Sequence, residues 1–359
     1  MADLQEMETW DRLEGLPDPA ENRVLIGHDG ILDQLAGAHA SGRMHHAWLI
    51  TGPAGIGKAT LACRFAGHLF RNPDPASSPR SYVQPPADDP VESRVARGGH
   101  PNLLHLRRGI RDDGKFRSQL TIEEVRKTVS FFGTSAGERG YRVCIVDTAD
   151  DLNRAAANAL LKVLEEPPPR TIFLVLAHAS SGVLPTIRSR CVKLTMRPLG
   201  QEDILSALDR LGVSKGLAHD DLHEIARLSS GSVRRAIILA MQNGAGMYRK
   251  LVELVANPSS PDWGAIHLLA SELAPVARND RYQLFLQLVH DYVGRRVRAE
   301  PEPASAGQGG TLESATTSEL ARWVEVWEKT RRSAELANSY NLDRKQVILN
   351  FFEALRQAA

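Results

Sequence analysis

The chain has 359 residues, enough for two or three domains at about 150 residues each. Its 44 Lys and Arg residues against 43 Asp and Glu give a net charge of +1, which excludes a globally basic nucleic-acid coat protein and an acidic tail protein. Hydrophobic residues make up 42% and charged residues 24%, as in ordinary globular proteins, so the chain can bury real cores.

Cysteine content and apolar run length exclude two further classes. Cys63, Cys144 and Cys191 stand far apart without a CxxC pair, which excludes a disulfide framework and a four-cysteine zinc site. No run approaches 18 apolar residues, and the first fifteen residues are acidic and polar, unlike a signal peptide. We therefore expect a soluble, cytoplasmic protein without membrane contact.

Strand-like and helix-like segments alternate up to about residue 197. Short apolar runs typical of strands are Ala47–Thr51, Leu103–Leu106, Val143–Val146, Ile172–Leu176 and Val192–Leu194. Stretches with helical apolar spacing between them include Ile31–Ala40, Ala59–Phe70, Ile122–Phe132 and Asn153–Leu164. This alternation predicts an α/β fold with a parallel sheet and helices on both of its faces.

Two segments interrupt the pattern, and the chain changes character after Pro198. The stretch from Pro73 to Pro90 holds six of the 20 prolines and predicts an exposed insertion or flexible loop. The small, polar stretch Glu300–Ser318 predicts a loop or linker. Residues 201–243 indicate short helices, and later segments such as Tyr282–Val297 and Leu320–Asn338 indicate longer ones. We predict three domains, over 1–197, 198–244 and 245–359.

The strongest local motif is the phosphate loop, Gly52–Lys58, which has the spacing GxxxxGK between a predicted strand and a predicted helix. Gly52, Gly55 and Gly57 let backbone N–H groups face an anion, and Lys58 reaches the outer phosphates. A relic turn of the same shape is the alternative. The sequence favours phosphate binding.

Two positions of this site depart from a hydrolase. Ala59 stands where a Ser or Thr hydroxyl would bind Mg²⁺, and Thr60, about 100° further round the helix, is a poor substitute. The strand ending at Val146 is followed by Asp147, but Thr148 replaces the carboxylate that would act as general base. The site therefore predicts a nucleotide-hydrolase fold that has lost its own hydrolysis.

Several motifs together resemble the clamp-loader branch of the AAA+ ATPases. They are the helix and loop Asn158–Pro168 (NALLKVLEEPP), the Ser189-Arg190-Cys191 triplet, Val24–His28, His46–Leu49 before the phosphate loop, and Gly231–Ala236, which resembles the sensor-2 helix of the lid. The likeness covers about residues 20–243 by motif and the remainder by helical content alone. Within this family the chain resembles most the delta-prime-like subunits, which have a degraded phosphate loop and retain the Ser-Arg-Cys arginine.

The resemblance implies a P-loop NTPase (AAA+) core, a small helical lid, and an all-α collar that joins subunits into a ring. It implies gamma/tau and delta subunits as partners in a hetero-pentameric ring, and the sliding clamp and primed DNA as partners through that complex. The chain would then be a component of the DNA polymerase III holoenzyme, a nucleotidyltransferase complex. Family members commonly carry a four-cysteine zinc module after the phosphate-loop helix. The corresponding stretch Arg64–Pro101 has no cysteine, so we expect no zinc.

The resemblance also implies roles for individual residues. Arg190 is the candidate arginine finger acting in trans on a neighbouring subunit, against the alternative of a solvated surface arginine. Gly52, Gly55, Gly57, Lys58, Asp147 and Arg234 form the candidate degenerate nucleotide site, where ATP or ADP binds without hydrolysis. A salt bridge on the lid is the alternative role for Arg234.

Two wider alternatives stay open. The basic clusters around Arg107–Arg117 and Arg295–Arg298 fit either a DNA backbone contact or a solvated face, and the lack of interleaved aromatic residues favours the solvated face. The second alternative concerns the function of the whole chain. Instead of a non-hydrolysing subunit, it could be an active gamma/tau-like ATPase or a AAA+ adaptor outside replication. Ala59 and Thr148 count against the motor, and the Ser-Arg-Cys signature counts against the adaptor.

Overall fold

The computed structural model describes residues 13–110, 116–133, 140–297, 324–326, 328–329, 332 and 343–358. The predicted linker Glu300–Ser318 lies outside these residues, as does most of the predicted helix Leu320–Asn338. The chain forms two compact units, the first over 1–216 and 226–236 and the second over 217–225 and 237–359. The division into three domains at 197 and 244 stays a prediction.

The first unit contains a parallel five-stranded sheet. Its strands are β1 Ala47–Thr51, β2 Leu103–Leu106, β3 Arg142–Val146, β4 Thr171–Ala177 and β5 Val192–Thr195. They lie in the order β2-β3-β4-β1-β5, and every neighbouring pair is parallel. Each strand was predicted, with its ends within one residue. The prediction succeeded because strands covered on both faces are continuous apolar runs.

Helices cover both faces of this sheet, so the predicted α/β P-loop fold is confirmed. They are α1 Asp29–Ala40, α2 Lys58–Arg71, α3 Pro90–Ala96, α4 Ile122–Gly133, α5 Arg154–Glu165 and α6 Pro185–Arg188, and a further helix, α7 Gln201–Arg210, follows β5. Leu35 of α1 and Phe65 of α2 pack with Ile50 in one core. Leu160 of α5 packs with Leu49 and Phe173 in the other. Successive side chains of a strand point to opposite faces, so β1 contributes Leu49 to one core and Ile50 to the other.

After β5 the described residues contain helices and no strand. The helices are α8 His219–Leu228, α9 Val233–Met241, α10 Gly244–Val255, α11 Trp263–Leu273, α12 Asn279–Val297 and α13 Arg344–Ala358. In the second unit α11 packs against α13, and Tyr282, Leu288 and Ile348 are fully buried. The Arg344 guanidinium lies 5.0 Å from the centre of the Tyr282 ring, which ties α13 to α12.

The proline-rich stretch lies outside the sheet and is mostly exposed, and residues from earlier in the chain bond to its backbone. Arg23 Nη1 donates to the carbonyl of Pro86 at 2.9 Å, and Asp33 Oδ1 of α1 accepts from the backbone N–H of Tyr82 at 2.8 Å. Pro85 is buried. Proline-rich sequence prevents a helix or strand, but side chains from earlier in the chain satisfy its backbone groups and hold it in place. The predicted exposed insertion is therefore confirmed, and flexibility of this stretch stays a prediction.

Candidate nucleotide site and surface arginine

The phosphate loop joins β1 to α2 and depends on two glycines with left-handed backbone. Gly57, with φ +103°, is the N-cap of α2, and Gly55 has φ +76°. A Cβ on Gly55 would lie 2.4 Å from Cβ of Arg234 and 2.6 Å from Oγ of Ser232. Glycine at position 55 therefore meets two needs, a left-handed turn and close contact with the start of α9.

Every carbonyl of the loop from Gly52 to Gly57 accepts a hydrogen bond. Lys58 Nζ donates to the carbonyls of Gly52 and Pro53 at 2.7 and 2.8 Å. Two bonds come from the segment at the start of α9: Ser232 Oγ donates to Ala54 at 2.9 Å, and the N–H of Arg234 donates to Gly55 at 3.0 Å. His28 Nε2 donates to Ile56 at 3.2 Å, and the N–H of Leu61 donates to Gly57 at 2.9 Å. These bonds fix the loop, and its backbone N–H groups are what it offers to an anion.

Lys58 is the central charge of the site. It is only 6% exposed, and burial lowers its pKa to about 8, although the charges of Asp147 and Asp150 oppose that shift. Its Nζ also lies 3.3 Å from Nδ1 of His178, the residue that follows β4. A bound phosphate would stabilise the charged ammonium in this dehydrated position, as the motif predicts.

Asp147 directly follows β3 and lies at the same edge of the sheet as the phosphate loop, because the carboxyl ends of parallel strands meet there. His105 Nε2 lies 3.4 Å from its Oδ2, and His105 Nδ1 accepts from Arg107 Nη2 at 2.7 Å. Since arginine only donates, Nδ1 of His105 carries no proton and Nε2 does. Burial raises the pKa of Asp147, but the contact with His105 Nε2–H and the positive charges of Arg107 and Lys58 outweigh burial and lower it.

The acidic residues beyond Asp147 accept hydrogen bonds from nearby groups of the protein. Asp151 Oδ2 accepts from Thr148 Oγ1 at 3.1 Å, and Asp150 Oδ2 accepts from the N–H of His178 at 2.6 Å. Both lie in a 3-10 turn over Ala149–Asp151. Thr148 is buried, and its hydroxyl is occupied by Asp151. None of these groups occupies the place of the missing general base.

Arg190 lies at the opposite edge of the sheet from its own phosphate loop. It precedes β5, whose Val192 pairs with Trp48 near the start of β1, whereas the loop follows the end of β1. At about 3.3 Å per residue, a five-residue strand places roughly 16 Å between the two edges. The guanidinium is 35% exposed, pairs with Glu165 Oε1 at 2.6 Å, and donates to the Thr186 carbonyl at 2.9 Å.

The structure thus brings the predicted nucleotide-site residues together and places the predicted arginine finger away from them. Gly52, Gly55, Gly57, Lys58, Asp147 and Arg234 lie at one edge of the first unit, and Arg190 lies at the other. Arg234 is half-buried, and its backbone is bonded to the loop. Which role each residue has stays a prediction.

Sequence reasoning overlooked four contributors. His178 contacts Lys58, and His105 contacts Asp147. Ser232 binds the loop, and Glu165 binds Arg190. The rule that polar residues after parallel strands converge predicts His178, since it directly follows β4. The sequence holds no comparable signal for Glu165.

The residues at this edge fit the phosphates of a nucleotide better than they fit Mg²⁺. Lys58 and the loop N–H groups would hold the phosphates, but Ala59 in the first turn of α2 has no oxygen for a metal. Among the described residues, no three His, Cys, Asp or Glu side chains are grouped as metal ligands. The absence of zinc stays a prediction.

The basic clusters are engaged within the protein where the structure describes them. Arg107 donates to His105, and Arg108 Nε lies 3.2 Å from Asp151 Oδ2. Arg295 and Arg296 lie over tyrosine rings at 5.1 and 5.4 Å. Contact with DNA through these arginines is therefore not favoured. No described helix is long and apolar enough to cross a membrane.

Comparison with known proteins agrees with the motifs. The family described as DNA polymerase III, delta subunit, matches residues 27–200. The chain is 31% identical over 232 residues to the DNA polymerase III subunit delta' of Pseudomonas aeruginosa, covering 62% of this chain and 67% of that protein. This chain belongs to the DNA polymerase III clamp-loader family.

Other relatives carry other subunit names. The chain is 29% identical over 224 residues to the DNA polymerase III subunit gamma of Buchnera aphidicola, covering 62% of this chain but only 58% of that protein. A gamma subunit-related protein of Thermotoga maritima matches in structure with a TM-score of 0.46 and 16% identity, covering 91% of this chain and 99% of that one. The relatives thus carry different subunit names, and the kind of subunit is a separate question.

Proposed function

We propose that this chain is a non-hydrolysing, delta-prime-like subunit of the DNA polymerase III clamp loader. In this role it joins gamma/tau and delta subunits in a hetero-pentameric cytoplasmic ring that loads the sliding clamp onto primed DNA during replication. Its own nucleotide site holds ATP or ADP without turnover. Arg190 completes the ATP site of a neighbouring motor subunit.

The chemistry of the nucleotide site supports the non-hydrolysing role. Ala59 gives Mg²⁺ no hydroxyl, and Thr148 is a buried residue bonded to Asp151 where a hydrolase has its catalytic carboxylate. A gamma/tau-like motor needs both groups. The similarity to gamma subunits extends over the shared core, but these two positions favour the delta-prime-like alternative.

The observation that carries the proposal is the position of Arg190. It stands on the edge of the sheet opposite its own loop, so it cannot act on a nucleotide bound there. Its side chain is partly exposed and carries a planar fork of N–H donors. A rigid fork of donors at the protein surface suits the γ-phosphate of a nucleotide on another subunit.

The test uses the complete ring reconstituted with Arg190→Ala, Arg190→Lys or wild-type chain. Arg43→Ala is the matched control, since Arg43 is an exposed arginine in the loop before β1, at the same edge of the sheet. We measure ring assembly, clamp- and DNA-stimulated ATP hydrolysis, and clamp loading. Both Arg190 variants should assemble normally and lose one site's share of hydrolysis together with clamp loading, because lysine lacks the fork.

Two results would overturn this proposal separately. Arg190→Ala rings that hydrolyse ATP and load clamps at the wild-type rate would show that the arginine is a surface residue only. Wild-type chain that fails to enter a ring with gamma/tau and delta subunits would favour an adaptor outside replication. The Arg43→Ala ring should match wild type in every measurement.

A further inference from the structure

Glu165 is the last residue of α5 and forms an ion pair with Arg190. Its Oε1 lies 2.6 Å from Arg190 Nη2, although the two residues are 25 positions apart. The side chains are 49% and 35% exposed respectively. The pair therefore joins the carboxyl end of α5 to the turn before β5 at the surface of the first unit.

This position is a poor one for a carboxylate on grounds of helix stability. The carboxyl end of a helix carries a partial negative charge, so a glutamate there is repelled unless a cation compensates it. Ion pairs between exposed side chains contribute only about 0–1 kcal/mol to the free energy of unfolding. The ion pair between Glu165 and Arg190 therefore contributes little to the stability of the fold.

The pair does restrict the orientation of the guanidinium. Nη2 is bound by Glu165, and Nη1 donates to the Thr186 carbonyl at 2.9 Å and lies 3.5 Å from Ser189 Oγ. An arginine has five N–H groups in one plane, so at least two of them stay available to phosphate oxygens. Two anchors on different Nη atoms fix both the position and the plane of the fork, which a single anchor would leave free to rotate.

We propose that Glu165 is a positioning residue, which holds the Arg190 guanidinium in the orientation needed to reach the nucleotide of a neighbouring subunit. The proposal rests on the proposed function of Arg190. Glu165 touches no nucleotide itself and acts only through Arg190. Holding the side chain in advance removes the loss of rotamer freedom that a long arginine would otherwise suffer when it binds phosphate.

The experiment compares Glu165→Ala and Glu165→Gln in the reconstituted ring, alone and combined with Arg190→Ala. Glu166→Ala is the matched control, because Glu166 is the next residue and is also exposed. The readout is the Arg190-dependent part of the ATPase rate, which is the wild-type kcat minus the kcat of the Arg190→Ala ring. KM for ATP and ring assembly are measured alongside.

Glu165→Ala should lower the Arg190-dependent kcat about three- to tenfold, within the range of coupling between two contacting residues, and should leave KM unchanged. Glu165→Gln should restore most of that rate, because its amide oxygen still accepts from Nη2. In the Arg190→Ala background, Glu165→Ala should have no further effect. Glu166→Ala should behave as wild type.

The outcomes separate this inference from the proposed function. If Arg190→Ala slows the ring but Glu165→Ala does not, the positioning role is wrong and the finger stands. If Glu165→Ala slows an Arg190→Ala ring further, Glu165 acts by another route and the inference is also overturned. If both single variants are silent, the finger and the positioning role fail together.

Discussion

Ser232 Oγ donates to the carbonyl of Ala54 at 2.9 Å, so the residue just before α9 is bonded to the phosphate loop 178 positions earlier in the chain. The adjacent N–H of Arg234 binds the carbonyl of Gly55. The loop conformation therefore depends on the segment that resembles sensor 2, even in a site that lacks the groups for hydrolysis.

Replacing Gly55 tests this contact directly. Gly55→Ala places a methyl group 2.4 Å from Cβ of Arg234 in a left-handed backbone position, and Gly42→Ala is the control, with φ +69° and nothing within 4 Å. The control should lower the free energy of unfolding by about 1–2 kcal/mol. Gly55→Ala should lower it by roughly 1–3 kcal/mol more, because the start of α9 must shift. Urea titration of both variants measures the difference; equal losses would contradict the contact.

Anion binding at the phosphate loop should weaken as pH rises through about 8, the pKa of Lys58 in the folded protein. A phosphate binds best to the charged ammonium of Lys58. Below about pH 8 that ammonium is already charged, so binding takes up no proton. Above it, affinity should fall by up to about tenfold per pH unit. Calorimetric titration with ADP at pH 7 and pH 9 measures the change. Lys58→Ala should bind weakly at both values, and a wild-type affinity independent of pH would contradict the role of Lys58.

The buried histidine pair of α1 and α2 should make the first unit sensitive to acid. His39 and His68 are almost fully buried, and the Ser78 hydroxyl bridges them at 3.1 and 3.3 Å. Burial, with the nearby charges of His39 and Arg71, lowers the pKa of His68 to about 4. Its unfolded pKa is about 6.5, so its contribution is complete above that pH and is lost as pH falls toward 4.

The size of this effect is roughly 3 kcal/mol in the free energy of unfolding, from about 2.5 pKa units at 1.36 kcal/mol each. Urea unfolding at several pH values, for wild type and His68→Gln, isolates it from the carboxylates that titrate in the same range. The wild type should lose more stability than the variant between pH 6.5 and 4. Parallel curves for the two proteins would contradict the prediction.

The isolated chain should hydrolyse ATP at no more than a background rate, because Ala59 and Thr148 supply neither the metal hydroxyl nor the base. Ala59→Ser alone should not restore turnover, since Thr148 still lacks a carboxylate. A phosphate-release assay on the purified chain checks both proteins. A normal motor rate in wild type would restore the gamma/tau-like alternative.

The apolar and polar pattern of short segments predicted the sheet almost completely. It did not predict contacts between residues that are far apart in the chain. The five strands are buried on both faces, so their apolar runs are distinct in the sequence. The contacts that hold the proline-rich segment were not predicted, because Arg23 and Asp33 lie 63 and 49 positions from the residues they bond. The composition of a segment indicates which secondary structure it cannot form on its own. It does not indicate which hydrogen bonds residues elsewhere in the chain make to it.

The same distinction holds in the candidate site. The glycines, Lys58 and Asp147 follow from motif spacing, because neighbouring residues in one loop or strand end determine their geometry. His178 contacts Lys58 across 120 positions, and Glu165 contacts Arg190 across 25. Each of these contacts depends on how α2, α5 and the sheet pack, which the spacing of residues in one segment does not specify.

The central claim, that Arg190 acts on a neighbouring subunit's nucleotide, is tested most directly by single-turnover ATP hydrolysis in the complete ring. Rapid mixing of ATP-loaded ring with clamp and primed DNA resolves the fast phase contributed by each competent site. With Arg190→Ala, we expect the amplitude of the fast phase to fall by one site's share, while that site hydrolyses its ATP about 10³–10⁵ times more slowly. An unchanged amplitude and rate in a fully assembled Arg190→Ala ring would contradict the claim.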